Sequence, residues 1–209
     1  MSKSKNIFLL GYSGHAFVIL DIALANNYNV RGYFDKKEAA FNPYKLAYLG
    51  DESTIDIKSV LEKGYIFPAM GSNSIRKKLI TFVKDYGLNQ VKLIDPSARV
   101  SPKAQIGSSS AVAPNAIVNS LAQVGDGCII NSGAIIEHEC KVGDFSHIAP
   151  GAVLAGNITL GTLTFVGANA VIKQGITVGD NVTIGAGSVV LKDIPNGEVW
   201  AGNPAKRIK

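Results

Sequence analysis

Residues 124–142 read VGDGCIINSGAIIEHECKV, and in them the aliphatics Val124, Ile130, Ile136 and Val142 stand six residues apart. The spacing runs on in both directions without a break. Upstream it includes Ile94, Val100, Ile106, Val112 and Val118, and downstream Ile148, Leu154, Leu160, Val166, Ile172, Val178, Ile184 and Val190, seventeen positions in all. Four residues after the aliphatic the side chain is usually small, as at Ala98, Ala104, Ser110, Ala116, Cys128, Ala134, Cys140 and Ser146. Glycine often follows the aliphatic directly, as at Gly107, Gly125, Gly143, Gly161, Gly167, Gly179 and Gly185. Neither a helix nor an alternating hairpin sheet carries this period. A period of six with β-branched lead residues predicts a parallel β-helix. Each hexamer is a short strand and a turn, three hexamers close a triangular coil, and the aliphatic points inward. Glycine and asparagine at the corners are expected to accept left-handed backbone. The repeat assigns residues 94–209 to a β-helix domain with a C-terminal cap.

Residues 1–93 follow another logic. They hold thirteen Lys and Arg against eight acids, whereas the remainder holds eight of each, so the net charge of +5 belongs to the first part. Of the 22 glycines, fifteen fall in the second part. The excess of base favours an anionic ligand or is a scatter of solvated lysines. With 46% hydrophobic residues the chain is not disordered. No apolar run approaches the roughly 18–20 residues of a membrane span. The start does not read as a signal peptide. Two cysteines make no disulfide framework, so a cytoplasmic protein is expected. No basic stretch interleaved with aromatics points to nucleic acid.

In the first part Asn6–Leu10 reads as a strand, Ala16–Asn26 as a helix and Val30–Phe34 as a second strand. Ser53–Glu62 reads as a helix, Tyr65–Met70 as a strand, Asn73–Tyr86 as a helix and Val91–Ile94 as a short strand. The alternation predicts a small Rossmann-like α/β domain over 1–93. Gly11, Ser13, Gly14 and His15 form a glycine loop between strand and helix, where backbone amides suit a phosphate. It is not a full G-x-G-x-x-G fingerprint. Asp35 ends the second strand, in place to accept hydrogen bonds from a ribose or base. Gly71, Asn73 and Arg76 repeat the strand–glycine–helix arrangement, and Arg76 either meets a phosphate or is a plain solvated helix residue.

The hexapeptide pattern resembles the left-handed β-helix acyltransferases. That resemblance implies a homotrimer with acetyl-CoA bound between neighbouring prisms. The tail around Trp200, Gly202, Pro204, Ala205 and Lys206 is similar to the family's closing segment; Trp200 either lies near the coenzyme's adenine end or caps the solenoid. The chain as a whole resembles the sugar O- and N-acyltransferases of the sialic-acid and bacillosamine type, which join a G-x-x-G-H loop to such a prism. By this likeness Gly11, Ser13, Gly14, His15, Asp35, Lys36, Gly71, Asn73 and Arg76 hold a nucleotide diphosphate. The implied substrate is a nucleotide-linked amino sugar, most simply a 4-amino-4,6-dideoxy sugar. O-acetylation of a sialic acid is the first alternative, and a non-catalytic nucleotide-binding solenoid the second.

Acyl transfer from a thioester to an amine requires a base, and histidine suits neutral pH. A carboxylate on its other nitrogen fixes the tautomer. The segment Asn131–Cys140 resembles the family's catalytic stretch, which implies His138 as base, Glu139 as its orienting acid and Asn131 as a substrate contact. His147 matches a second histidine near the acetyl carbonyl or the substrate. Cys128 and Cys140 occupy small inward slots and read as structural. No metal site is expected. Loose candidates for coenzyme contacts, besides His147, are Gly156, Gly161, Ala168, Lys173 and Ile176, where small residues let a pantetheine lie along one edge.

Overall fold

The computed structural model describes residues 5–61 and 64–209. The first unit runs β1 (Asn6–Leu10), α1 (Gly14–Ala25), β2 (Asn29–Phe34), α2 (Ile57–Leu61), β3 (Tyr65–Pro68) and α3 (Asn73–Asp85). Its sheet is parallel, in the order β2-β1-β3. β1 is central, and Ile7–Leu10 are buried, as a strand covered on both faces must be. Leu10 pairs with Phe34 and with Pro68, so the loops that follow at Gly11, Asp35 and Gly71 emerge at one edge of the sheet.

Several bounds differ from expectation: α1 begins at Gly14 rather than Ala16, and the strand expected over Val91–Ile94 begins only at Leu93. The helix expected over Ser53–Glu62 starts only at Ile57; Glu62 itself lies outside the described residues. Asp51 Oδ1 accepts both the backbone N–H and the hydroxyl of Ser53, at 2.8 and 2.7 Å, and this local turn competes with helix. β3 stops at Pro68, which has no N–H for a ladder, rather than at Met70.

Seventeen two-residue strands follow at six-residue steps, β4 (Leu93–Ile94) through β20 (Val189–Val190). Every third strand pairs in parallel, giving three flat faces. The first face carries β4, β7, β10, β13, β16 and β19. The second starts at β5 and the third at β6. The inward aliphatics from Val112 to Val190 form one buried core, with Cys128 and Cys140 as free thiols inside it. β21 (Val199–Ala201) extends the first face, and β22 (Lys206–Arg207) folds back antiparallel on it. Trp200 lies in the prism core with its Nε1 donating to Glu198 Oε2 at 2.7 Å, so it closes the end of the solenoid.

The corners obey a rule finer than the expected one. The third residue after each aliphatic is left-handed at every turn from Ser109 to Gly187, with φ between 54° and 75°. Asn and Gly fill most of these positions; Ser109, Leu121, Glu139, Phe145 and Leu163 are the exceptions. The glycines directly after the aliphatic are needed for another reason. A Cβ on Gly107, Gly143 or Gly167 would fall 2.5–2.6 Å from the carbonyl carbon of Gly125, Gly161 or Gly185, one coil on. They allow coils to stack, and they are not the left-handed residues.

The α/β unit packs on the first face. Leu93, Ala111 and Ala113 of the prism share a core with Ile7, Leu9, Ala16 and Ile19. β4 therefore straddles the division expected after Leu93.

Candidate active site

His138 and Glu139 are the two turn residues between β11 (Ile135–Ile136) on the second face and β12 (Lys141–Val142) on the third. Glu139 is one of the left-handed exceptions, with φ 62°. Its Oε2 lies 3.1 Å from His138 Nδ1, and both side chains are about half exposed. With the proton on Nδ1 donated to Glu139, Nε2 is left with its lone pair. The His138 carbonyl accepts from Asn157 N–H at 2.8 Å. Gly156 occupies the same corner one coil on, and a Cβ there would lie 2.5 Å from His138 Cε1 and 2.6 Å from Nε2. The imidazole thus rests against a bare Cα.

His147 stands elsewhere. It lies on β13 (His147–Ile148), between Ile129 and Phe165 in register on the first face, beneath the α/β unit. Asn131 Oδ1 accepts the Ser132 N–H at 2.8 Å, which turns its amide nitrogen to His147 Nε2 at 3.1 Å. An amide nitrogen only donates, so Nε2 accepts and a neutral His147 carries its proton on Nδ1. Burial, then the Arg76 charge and His15, push His147 down to about 3, while a backbone hydrogen bond with Gly71 acts the other way. His15, its ring centroid 6.4 Å away, is pushed down to about 4 by burial and Arg76. His15 Nε2 is buried without a hydrogen-bond partner among the described residues. Both rings are neutral at neutral pH.

The three loops that follow β1, β2 and β3 lie at the same end of the α/β sheet. Gly11 is left-handed at φ 87°, and a Cβ on it would strike the Met70 sulfur. Asp35 Oδ2 accepts from Tyr12 N–H at 3.0 Å and its Oδ1 from Lys36 N–H at 2.8 Å, so this carboxylate ties the first two loops together. Ser13 caps α1 in extended backbone with no side-chain cap bond. Ser13 and Gly14 are exposed, and nothing stands within 4 Å of a Cβ built on Gly14. The loop at the start of α1 is therefore uncovered at Ser13 and Gly14. Gly71 borders His15, a Cβ there lying 3.7 Å from the His15 Cβ.

Four expected ligand residues have other duties. The Arg76 guanidinium is buried and its N–H groups go to protein acceptors, chiefly backbone carbonyls of both units, so neither a phosphate contact nor a solvated face describes it. Asn73 Nδ2 donates to the Leu163 and Thr164 carbonyls at 3.1 and 3.3 Å. Ile176 is a buried core residue, because it fills an inward slot. Gly161 packs against Gly179, where a Cβ would lie 2.5 Å from the carbonyl carbon. Of the remaining coenzyme candidates, Ala168 turns the corner between first and second faces, whereas Gly156 and the exposed Lys173 share the His138 corner.

Two surface clefts escaped the sequence reading. One, about 390 Å³, runs between the start of α3 (Gly71, Ser72, Ser74) and Phe165 and Thr183 of the first face. The other, about 450 Å³, lies at the capped end among Lys192, Trp200, Lys206 and Arg207. Lys192 Nζ stands 5.2 Å from the centroid of the Trp200 ring. The signal was present in multiples of eighteen: His138, Gly156, Gln174 and Lys192 fall on one corner, leading from the imidazole to that cleft.

A coil of hexapeptide repeats with a histidine–carboxylate pair at one corner, and an α/β unit with open loops on one face, defines an acyltransferase of the left-handed β-helix class. Residues 6–83 match the PglD N-terminal domain family, residues 122–156 the bacterial transferase hexapeptide (six repeats) family and residues 157–192 the hexapeptide repeat of succinyl-transferase. PerB of Caulobacter crescentus, solved in complex with CoA and GDP-perosamine, is similar at 32% identity and a TM-score of 0.93, over 98% of this chain and 97% of that one. The acetyltransferase domain of PglB from Neisseria gonorrhoeae, in complex with acetyl coenzyme A, is similar at 34% identity and a TM-score of 0.91, over 98% of this chain and 100% of that one. WeeI from Acinetobacter baumannii shares the fold at 21% identity and a TM-score of 0.86, over 98% of this chain and 100% of that one. The chain belongs to the hexapeptide-repeat acetyltransferase family that acts on nucleotide-linked amino sugars. Among the described residues, no helix is long and apolar enough to cross a membrane.

Proposed function

We propose that the chain transfers an acetyl group from acetyl-CoA to the amine of a nucleotide-linked 4-amino-4,6-dideoxy sugar. The observation that carries this reading is the His138–Glu139 pair, joined through Nδ1 at 3.1 Å. Support comes from the 32% identical relative that holds CoA and GDP-perosamine. In this reading the sugar amine attacks the thioester carbonyl and forms the C–N bond while His138 Nε2 takes the amine proton. Glu139 steadies the imidazolium. The oxyanion finds a donor in the Gly156 backbone N–H on the same corner. When the C–S bond breaks, His138 returns the proton to the departing thiolate. His147, neutral, positions a polar group of the substrate or the acetyl carbonyl and does not act as base.

The topology supports sites shared between subunits. His138 turns the corner between the second and third faces, and the α/β unit lies on the first face, across the prism. A nucleotide held at Ser13, Gly14 and Lys36 of one copy meets the base of a neighbouring copy, and a cyclic homotrimer satisfies all three sites at once. The coenzyme runs along the corner from His138 past Gly156, Gln174 and Lys173, and its phosphorylated adenosine reaches the cleft at Lys192, Lys206 and Arg207. In this reading the enzyme works in the cytoplasm, where acetyl-CoA is to hand. The test is acetyl transfer, followed by mass, from acetyl-CoA to a panel of nucleotide-linked amino sugars and to free sialic acid. An acetylated nucleotide sugar supports the reading; acetylation of sialic acid alone, or of nothing in the panel, refutes it.

A further inference from the structure

Arg76 is a buried cation, 1% exposed, with no carboxylate among its partners in the described residues. Its Nε donates to Gly127 O at 2.6 Å. Nη1 donates to Met70 O and Gly71 O at 3.1 and 3.0 Å. Nη2 reaches Asn73 Oδ1 at 2.9 Å and Phe145 O at 2.7 Å, with Ser146 O at 3.4 Å. Gly127 and Phe145 sit at one corner of the prism on successive coils, both left-handed. Met70 and Gly71 form the loop after β3. One guanidinium thus spends its five N–H groups on bonds that tie that loop to two coils.

A cation without a counter-charge is a poor stability device, since its desolvation is costly and well-packed apolar residues often do better. What this one supplies is placement. Gly71 touches His15 on one side and His147 on the other. We propose that Arg76 is a positioning residue that clamps the Gly71 loop to the prism, and so fixes where a sugar held by the α/β unit meets His147. The inference rests on the acetyl-transfer reading for its kinetic consequence, but not for its structural one. The groups facing His147 are Asn131 and Phe165 from neighbouring strands and His15, Gly71 and Arg76 from the α/β unit. None of these is acidic; after burial the guanidinium is the next cause that lowers both His147 and His15, and at His147 the Gly71 backbone hydrogen bond opposes it. Arg76 itself, brought down to about 10 by burial, keeps its charge at neutral pH.

The experiment compares Arg76→Lys and Arg76→Met with the full-length protein, using imidazole nitrogen NMR of labelled histidine and steady-state kinetics. Lysine keeps the charge but lacks the planar fork. In Arg76→Lys the His147 ring stays neutral but its nitrogen signals shift, and KM for the nucleotide sugar rises at least about tenfold while KM for acetyl-CoA stays within about twofold. In Arg76→Met the His147 titration moves upward from its value of about 3, while burial, the larger cause, still holds it below an ordinary histidine. Unmoved His147 signals in the lysine variant, or equal loss toward both substrates, overturn the proposal. If the methionine variant does not fold, the lysine variant decides alone. If the parent shows no acetyl transfer, the functional reading fails, and the NMR arm still decides the clamp.

Discussion

The imidazole of His138 lies against the bare Cα of Gly156, one coil further along the same corner, where a Cβ would come within 2.5 Å of Cε1. Gly156 is not in left-handed backbone, so alanine there meets no conformational barrier of its own. The added methyl instead pushes the ring off its seat and swings Nε2 away. A misplacement of about 1 Å at a reacting group costs about a hundredfold in rate. Gly156→Ala is expected to lower kcat by about that factor, with a melting temperature within a few degrees of the parent. Kinetics alongside a thermal melt checks this; undiminished turnover would show that the seat does not position the base.

Glu139 joins its contact with His138 to a backbone cost. It holds a left-handed conformation that Asn or Gly fills at most other corners, and for an ordinary residue this costs about 1–2 kcal/mol. Glu139→Asn should therefore stabilise the prism by up to about 1 kcal/mol, since asparagine tolerates this region. Removing the carboxylate from His138 Nδ1 should slow turnover by about two to four orders of magnitude. Glu139→Gln keeps the shape and loses the charge, and should fall between. Denaturant unfolding with kinetics on the three proteins tests the opposition of stability and activity.

The architecture was legible because the hexapeptide period is written into consecutive residues, from Ile94 to Val190. The α/β alternation was legible for the same local reason, and so was the open glycine loop before α1. The reason for the corner glycines was not. Gly107 and Gly143 answer to backbone one coil away, which a local reading does not see, whereas the left-handed residues stand two places later. Arg76 misled because its type and its position after a glycine loop suit a phosphate. Its actual acceptors, the carbonyls of Gly127 and Phe145, are brought to it only by packing of the two units. Gly156 was singled out for its small size, and the structure adds that the room it leaves is filled by His138.

His147 and His15 set an acid limit on stability. Their folded-state values, about 3 and about 4, lie below the ordinary histidine value of 6.5, so the unfolded chain binds protons first. Their contribution is fully present above about pH 6.5 and is lost as pH falls toward those folded values. Thermal melts from about pH 7 to about pH 4 should show falling stability, and His147→Gln should flatten the slope. A parent slope kept in full by His147→Gln and by His15→Gln would mean that carboxylates alone govern the acid limit.

Sharing of sites between copies can be read from mixed oligomers. His138→Ala removes the proposed base and leaves the residues of the α/β unit unchanged. Gly14→Glu places a carboxylate at the open start of α1, where nothing within 4 Å opposes a new side chain, and repels a diphosphate. Each variant alone should be nearly inactive. When base and nucleotide loop come from different copies, random mixing in equal amounts rebuilds both halves at about a quarter of the sites. Co-refolding the two variants is then expected to recover about 25% of parental activity, because a site needs only one good corner and one good loop from two chains. When both halves come from one chain, every site carries a defect and mixing recovers nothing. Activity measured across mixing ratios separates the two, since shared sites peak at equal amounts and single-chain sites stay flat.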